Sequence, residues 1–166
     1  MPADSPLLAE TLANDLNVTV WSERDVSGVS DADIAQLTER DPSSWSAFTI
    51  RVGQHHLVVV NSAQSSPRRN SILMHELSHI ILGHELTSAA LTEDGHFIPA
   101  TYDQSQEAEA DWLAGALLLP RPALLRIRRT GLSDDQAMEN YLVSKQMLTW
   151  RFRMTGVDYQ LSHSRW

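Results

Sequence analysis

A chain of 166 residues, 42% hydrophobic and 20% charged, has the length and composition of one ordinary globular domain and is neither disordered nor fibrous. It contains no cysteine, which excludes disulfides, thiolate catalysis and cysteine-based metal sites, so any metal must be held by His, Asp or Glu. The net charge of −8 disfavours direct nucleic-acid binding; residues 1–16 lack the basic-then-apolar pattern of a leader, and no run approaches the roughly 20 apolar residues of a membrane span, so a cytoplasmic protein without a membrane partner is expected.

In chain order, Ser5 and Pro6 open a predicted helix over 5–16, with Leu7, Leu8, Leu12 and Leu16 near helical spacing. Residues 18–21 are a short β-rich piece. Ser30 caps a second short helix over 31–40 that turns Ile34 and Leu37 inward. The period then becomes extended: 45–52 and 55–60 are two β-rich runs joined through Gly53 and Gln54, a hairpin whose second run, Leu57 to Val60, is continuously apolar and so an inner strand. His55 and His56 are adjacent and point to opposite faces of a strand, so they do not share a metal.

Residues 66–84 hold the centre of the chain. Ser66 can cap the helix, Pro67 suits its first turn and Gly83 its end. Stepping about 100° per residue, Ile72, Leu73, Met74, Leu77, Ile80, Ile81 and Leu82 cover almost the whole circumference, as in a helix buried in a core. The exception is a wedge of His75, Glu76 and His79. Two imidazoles and a carboxylate in an apolar helix each cost a few kcal/mol if buried without partners, and a metal with a polar cleft supplies them. This HExxH spacing sets both imidazoles on one face, one turn apart, close enough to grip one zinc ion. His and Glu also suit other divalent metals.

Beyond Gly83 a long irregular stretch is expected over 86–102; His84, His96 and Tyr102 lie in or beside it and read mainly as ordinary loop residues able to donate to an oxyanion. A catalytic zinc usually has three protein ligands. Asp103, with Gln106 three residues on, caps a helix that runs to Leu119 before Pro120 stops it. On it Glu107, Asp111, Ala114 and Leu118 share a face while Glu109 points about 200° away from Glu107, which makes Glu107 the better candidate for the third ligand and places Asp111 to accept the second ring N–H of a zinc-bound histidine; the alternative is that Glu107 and Glu109 belong to a solvated first turn that complements the helix dipole. The small residues Ala108, Ala110, Ala114 and Gly115 allow close approach to the His75 helix. Glu76, on the wedge but not a ligand, is the general base.

The pair of blocks, His75-Glu76-Leu77-Ser78-His79 and, from Glu107 to Pro120, E-A-E-A-D-W-L-A-G-A-L-L-L-P, resembles the two signature blocks of the ImmA/IrrE family of metallopeptidases. Val143-Ser144, Trp150-Arg151-Phe152 and Gly156 resemble the family's closing helical segment, so the likeness spans about 45–156. Asp111 stands where Asn is common, Leu113 where Phe is and Ser78 where Gly is; the first brings the helix closer to the Glu-x-x-x-Asp of gluzincins. The resemblance implies an α+β, zincin-like metallopeptidase domain, with a small β-sheet or hairpin packed on a central HExxH helix and a helical C-terminal segment. One domain over 1–166 is expected, its core at about 45–120 and the helical segment at about 121–156. It further implies one zinc per chain, peptide-bond hydrolysis, and a protein substrate that is a DNA-binding transcriptional repressor.

Charge is uneven: five basic against 17 acidic residues up to position 120 (−12), eight against four beyond it (+4). Predicted helices over 133–141 and 144–155, the first with a Ser133/Gln136 capping box, form a helix-turn-helix-like pair carrying Lys145, Arg151 and Arg153. That supplies the rival reading, a non-catalytic repressor-binding or DNA-binding module with a structural or vestigial metal site. Such a module has no use for Glu76 between two ligands.

Overall fold

The computed structural model describes residues 2–84, 90–91, 97–98 and 103–163. Among them the chain is α+β, with eight α-helices and a three-stranded sheet. Helix α1 (Ala9–Asp15) leads into β1 (Thr19–Trp21); α2 (Asp31–Ala35) precedes the hairpin β2 (Ala47–Val52) and β3 (His55–Val60), and α3 (Ser66–Leu82) follows it. A two-residue antiparallel pair, β4 (Ala90–Leu91) and β5 (Phe97–Ile98), comes before α4 (Gln104–Leu118). Four helices close the chain: α5 (Arg121–Thr130), α6 (Asp134–Tyr141), α7 (Lys145–Thr155) and α8 (Val157–His163).

The sheet order is β1-β3-β2, β1 parallel and β2 antiparallel to β3. The apolar run of β3 is therefore central, as its composition requires, and β2 is an edge. Gly53 makes the hairpin turn at φ +63°, a conformation glycine adopts without penalty. Side chains alternate along the strands, so Val58 and Val60 enter the main core while Phe48 and Ile50 of β2, more than a third exposed, lie on the other face.

The core is built where α3 meets α4 and the C-terminal helices: Leu73, Met74 and Leu77 of α3, Leu118 of α4, Leu124 and Ile127 of α5, and Leu148 and Phe152 of α7 share one cluster with Val58 and Val60. A buried polar residue fixes its edge. Asn70 of α3 accepts from Ala9 N at 2.9 Å and donates to Leu142 O at 3.0 Å, tying the start of α1 and the α6–α7 turn to the central helix.

Several expectations shift. Helix α1 begins at Ala9, not Ser5, and Leu8 is its cap residue. Helix α2 continues as one π-helical turn, Gln36–Arg40. The cap residue of α3 is Ser65, not Ser66, with Pro67 in the first turn. Apolar cover around α3 is incomplete: Ile81 and Leu82 are exposed at its last turn. Gly115 faces α7 rather than α3, since a Cβ there would stand 2.4 Å from Trp150 Cζ3 and 2.8 Å from Arg151 Cδ. The helical segment expected at about 121–156 was given no separate helix over 121–130, where α5 lies, and α8 over 157–163 falls beyond it. The stretch 86–102 contains the β4–β5 pair; His96 and Tyr102 fall outside the described residues.

Candidate active site

Helix α3 carries His75, Glu76 and His79 on one side; α4 brings Glu107 against them. Asp103 caps α4, accepting from Ser105 N at 2.9 Å and Gln106 N at 3.4 Å, which fixes the first turn where Glu107 sits. His75 Nε2 and His79 Nε2 are 3.0 Å apart; Glu107 Oε2 is 3.2 Å from the first and Oε1 3.4 Å from the second. A tetrahedral zinc with ligands near 2.0–2.2 Å needs them about 3.3–3.6 Å from one another, so the three groups already sit close to three corners of such a site. The donor set, two imidazoles and a carboxylate, fits a divalent metal ion, with the fourth corner left to the cleft. Burial first, and then neighbouring His75, push the His79 imidazole below its ordinary value and so favour the neutral ring a metal requires.

The outward nitrogens of both histidines have partners. His75 Nδ1 lies 2.9 Å from Asp111 Oδ1, the position the helical spacing assigned to that carboxylate. His79 Nδ1 lies 3.0 Å from His84 Nδ1, and His84 Nε2 lies 3.2 Å from Glu109 Oε2. A carboxylate only accepts, so His84 donates through Nε2; its Nδ1 then accepts from His79 Nδ1–H, and the lone pair of His79 is left on Nε2, facing Glu107. The chain Glu109–His84–His79 thus selects one tautomer. His84 is brought there by the end of α3: Gly83 takes a left-handed conformation, φ +69°, and His84 N returns to His79 O at 3.0 Å, which folds the His84 ring back over His79. His84 is therefore not an ordinary loop residue, and Glu109, though directed away from the three converging groups, reaches them through it. A histidine directly after the helix-ending glycine was the available sequence signal.

Glu76 faces the cleft beside His75. Thr49 Oγ1 of β2 donates to its Oε2 at 2.5 Å, and Oε1 has no hydrogen-bond partner among the described residues. Burial raises the affinity of this carboxyl for a proton above the ordinary range, with the Thr49 bond opposing it. The cleft, about 1050 Å³, is walled by α3, α4, α7 and the start of β2, and its lining includes His75, Glu76 and Asp111. His55 is exposed and His56 half-buried on β3; neither belongs to the cleft lining.

The three basic residues of the helix-turn-helix-like pair part company. Arg151 is buried and donates through Nε to Leu119 O at 3.2 Å, a packing role that withholds it from phosphate, whereas Lys145 and Arg153 line the same cleft as His75 and Glu76.

Comparison with curated proteins and with solved structures returned no match. Residues 31–153, most of the chain, match the family model described as Peptidase_M78, IrrE N-terminal-like domain. With its HExxH helix, its converging His75, His79 and Glu107 and this match, the chain belongs to the ImmA/IrrE family of metallopeptidases.

Proposed function

We propose that the chain is a zinc-dependent endopeptidase that hydrolyses a peptide bond of a protein substrate, a DNA-binding transcriptional repressor. The observation that carries the catalytic reading is the convergence of His75 Nε2, His79 Nε2 and the Glu107 carboxylate beside a Glu76 that is not among them. These three residues would hold the ion. When bound, zinc supplies a lowered pKa for water and polarisation of a carbonyl.

The protein's own groups do the rest. Glu76 Oε1 is open to the cleft and takes the proton of the attacking water, then returns it to the leaving amine. Thr49 holds the other oxygen and so fixes the carboxylate's plane. Asp111 and the His84–Glu109 pair keep both ligating rings oriented. Edge strand β2, whose first residue Ala47 lines the cleft, can align an extended substrate by backbone pairing.

Metal content tests the centre: one zinc per chain in wild type, lost or weakened in His79→Ala and Glu107→Ala, is expected, and metal-free wild type after zinc loading would end the reading. The role of Glu76 is tested by Glu76→Gln, expected to keep fold and zinc and lose hydrolysis. The repressor assignment rests on family resemblance. It is tested by co-expression with candidate repressors, which should be cut by wild type and left whole by Glu76→Gln.

A further inference from the structure

The cleft that holds Glu76 also carries three cations. Arg68 of α3 and Lys145 and Arg153 of α7 line it, and none of the three has an ion pair or hydrogen bond among the described residues. Most other basic groups of the chain are engaged: Arg69 with Glu10, Arg126 with Asp4, Arg128 with Asp134 and Asp158, Arg51 and Arg151 with backbone carbonyls. The chain as a whole has 21 acidic residues against 13 basic ones, so three basic side chains in one cleft without acidic partners among the described residues stand apart from its general balance. Apolar lining accompanies them: Ile72 lies between Arg68 and His75 along α3, and Met147 and Trp150 lie between Lys145 and Arg153 along α7.

We propose that this wall recognises an acidic stretch of the substrate lying to one side of the scissile bond, apolar side chains resting on Ile72, Met147 and Trp150 and carboxylates reaching Arg68, Lys145 and Arg153. This rests on reading the cleft as a peptidase site and names the substrate class it takes. A peptide suits the cleft better than a nucleic acid. A polyphosphate backbone would bring a negative charge at every step past Glu76 and Asp111 of the same cleft, whereas a peptide places its carboxylates only where the cations stand. The chain's net charge of −8 repels an acidic peptide at long range, so affinity for one must come from the cleft itself.

The test is binding, read without turnover. The full-length Glu76→Gln protein, supplied with zinc, is titrated into a fluorescein-labelled peptide of alternating Leu and Glu and its Leu/Gln counterpart of equal length, with anisotropy as readout. The Glu peptide is expected to bind about tenfold more tightly at low salt, and the preference to shrink as salt rises. Single Arg68→Gln, Lys145→Gln and Arg153→Gln changes should each weaken it about two- to fivefold, and the triple change should abolish the preference. Arg129→Gln, at a cation on α5 outside the cleft that has no ion pair among the described residues, should change nothing. Equal binding of the two peptides, no binding of either, a preference surviving the triple change, or displacement of the Glu peptide by a short DNA duplex would each overturn the proposal. A preference with wild-type behaviour in a protein that binds no zinc would sink the peptidase reading and leave this one standing. Thermal unfolding of the triple variant verifies that it is folded.

Discussion

His84 and His79 meet nitrogen to nitrogen, Nδ1 to Nδ1 at 3.0 Å, across the glycine turn that ends α3. Because Glu109 holds the far nitrogen of His84, the relay fixes which nitrogen of His79 is free to ligate. Removing it by His84→Ala should lower zinc affinity about 10- to 100-fold. Glu109→Ala should act in the same direction, while Glu109→Gln, whose amide oxygen still accepts, should stay near wild type. Competition against a chelating dye reads all three; unchanged affinity in His84→Ala would reduce the relay to packing.

Thr49 and Glu76 are coupled through one hydrogen bond from strand to helix. Donation by a hydroxyl favours the charged carboxylate, so the bond lowers a proton affinity that burial raises. Thr49→Val keeps the side chain's shape and removes the donor. The acidic limb of the pH–rate profile should therefore move to higher pH in the variant, with a lower rate at every pH below the plateau. A limb that stays in place would mean that another group sets it.

The parts of this site that follow from local periodicity were legible in the sequence. The hairpin strand His55–Val60 has the bounds its β-rich run gives, and the spacing of Glu107 and Asp111 on α4 puts one at the ligand group and the other at His75 Nδ1. What stayed hidden depends on a second element. The angle between Glu107 and Glu109 on one helix says where Glu109 points, but not that the end of α3 returns His84 to meet it. Gly115 announces a close approach without naming the neighbour, and that neighbour is Trp150 of α7. Helix α5 carries Ala123, Leu124, Leu125 and Ile127 between arginines, a run too short to give it separate bounds within the expected helical segment. Lys145, Arg151 and Arg153 look alike in sequence, and only packing separates the buried arginine from the two in the cleft.

Gly115 is a point of close approach between α4 and α7, two of the helices that wall the cleft. Any side chain there would drive its Cβ to 2.4 Å from Trp150 and 2.8 Å from the stem of Arg151, whose head is tied to Leu119 O. The Arg151 stem is held by that bond, and the Trp150 ring already packs edge to face on Trp112 of α4. Gly115→Ala should cost about 1–3 kcal/mol in urea unfolding, despite alanine's better helix propensity. A variant as stable as wild type would show that α7 can slide outward at little cost.

Glu23 provides an acid-sensitive anchor away from the site. It is buried, and its carboxylate accepts from Ser62 N at 3.0 Å and from the Ser62 hydroxyl, tying the turn after β1 to the loop between β3 and α3. Burial raises its proton affinity, but the Ser62 bonds outweigh it and bring the carboxyl below its ordinary value of 4.5. The folded value is then lower than the unfolded one, so the charged group's stabilisation is complete above about pH 4.5 and is lost as pH falls through the folded value. Glu23→Gln should destabilise the protein by about 1–3 kcal/mol at neutral pH, since an amide in the same place cannot satisfy both Ser62 donors. Its stability should also fall less steeply than wild type's between about pH 5 and 3, as followed by urea unfolding across that range. Parallel pH curves for the two proteins would place the acid sensitivity at other carboxylates.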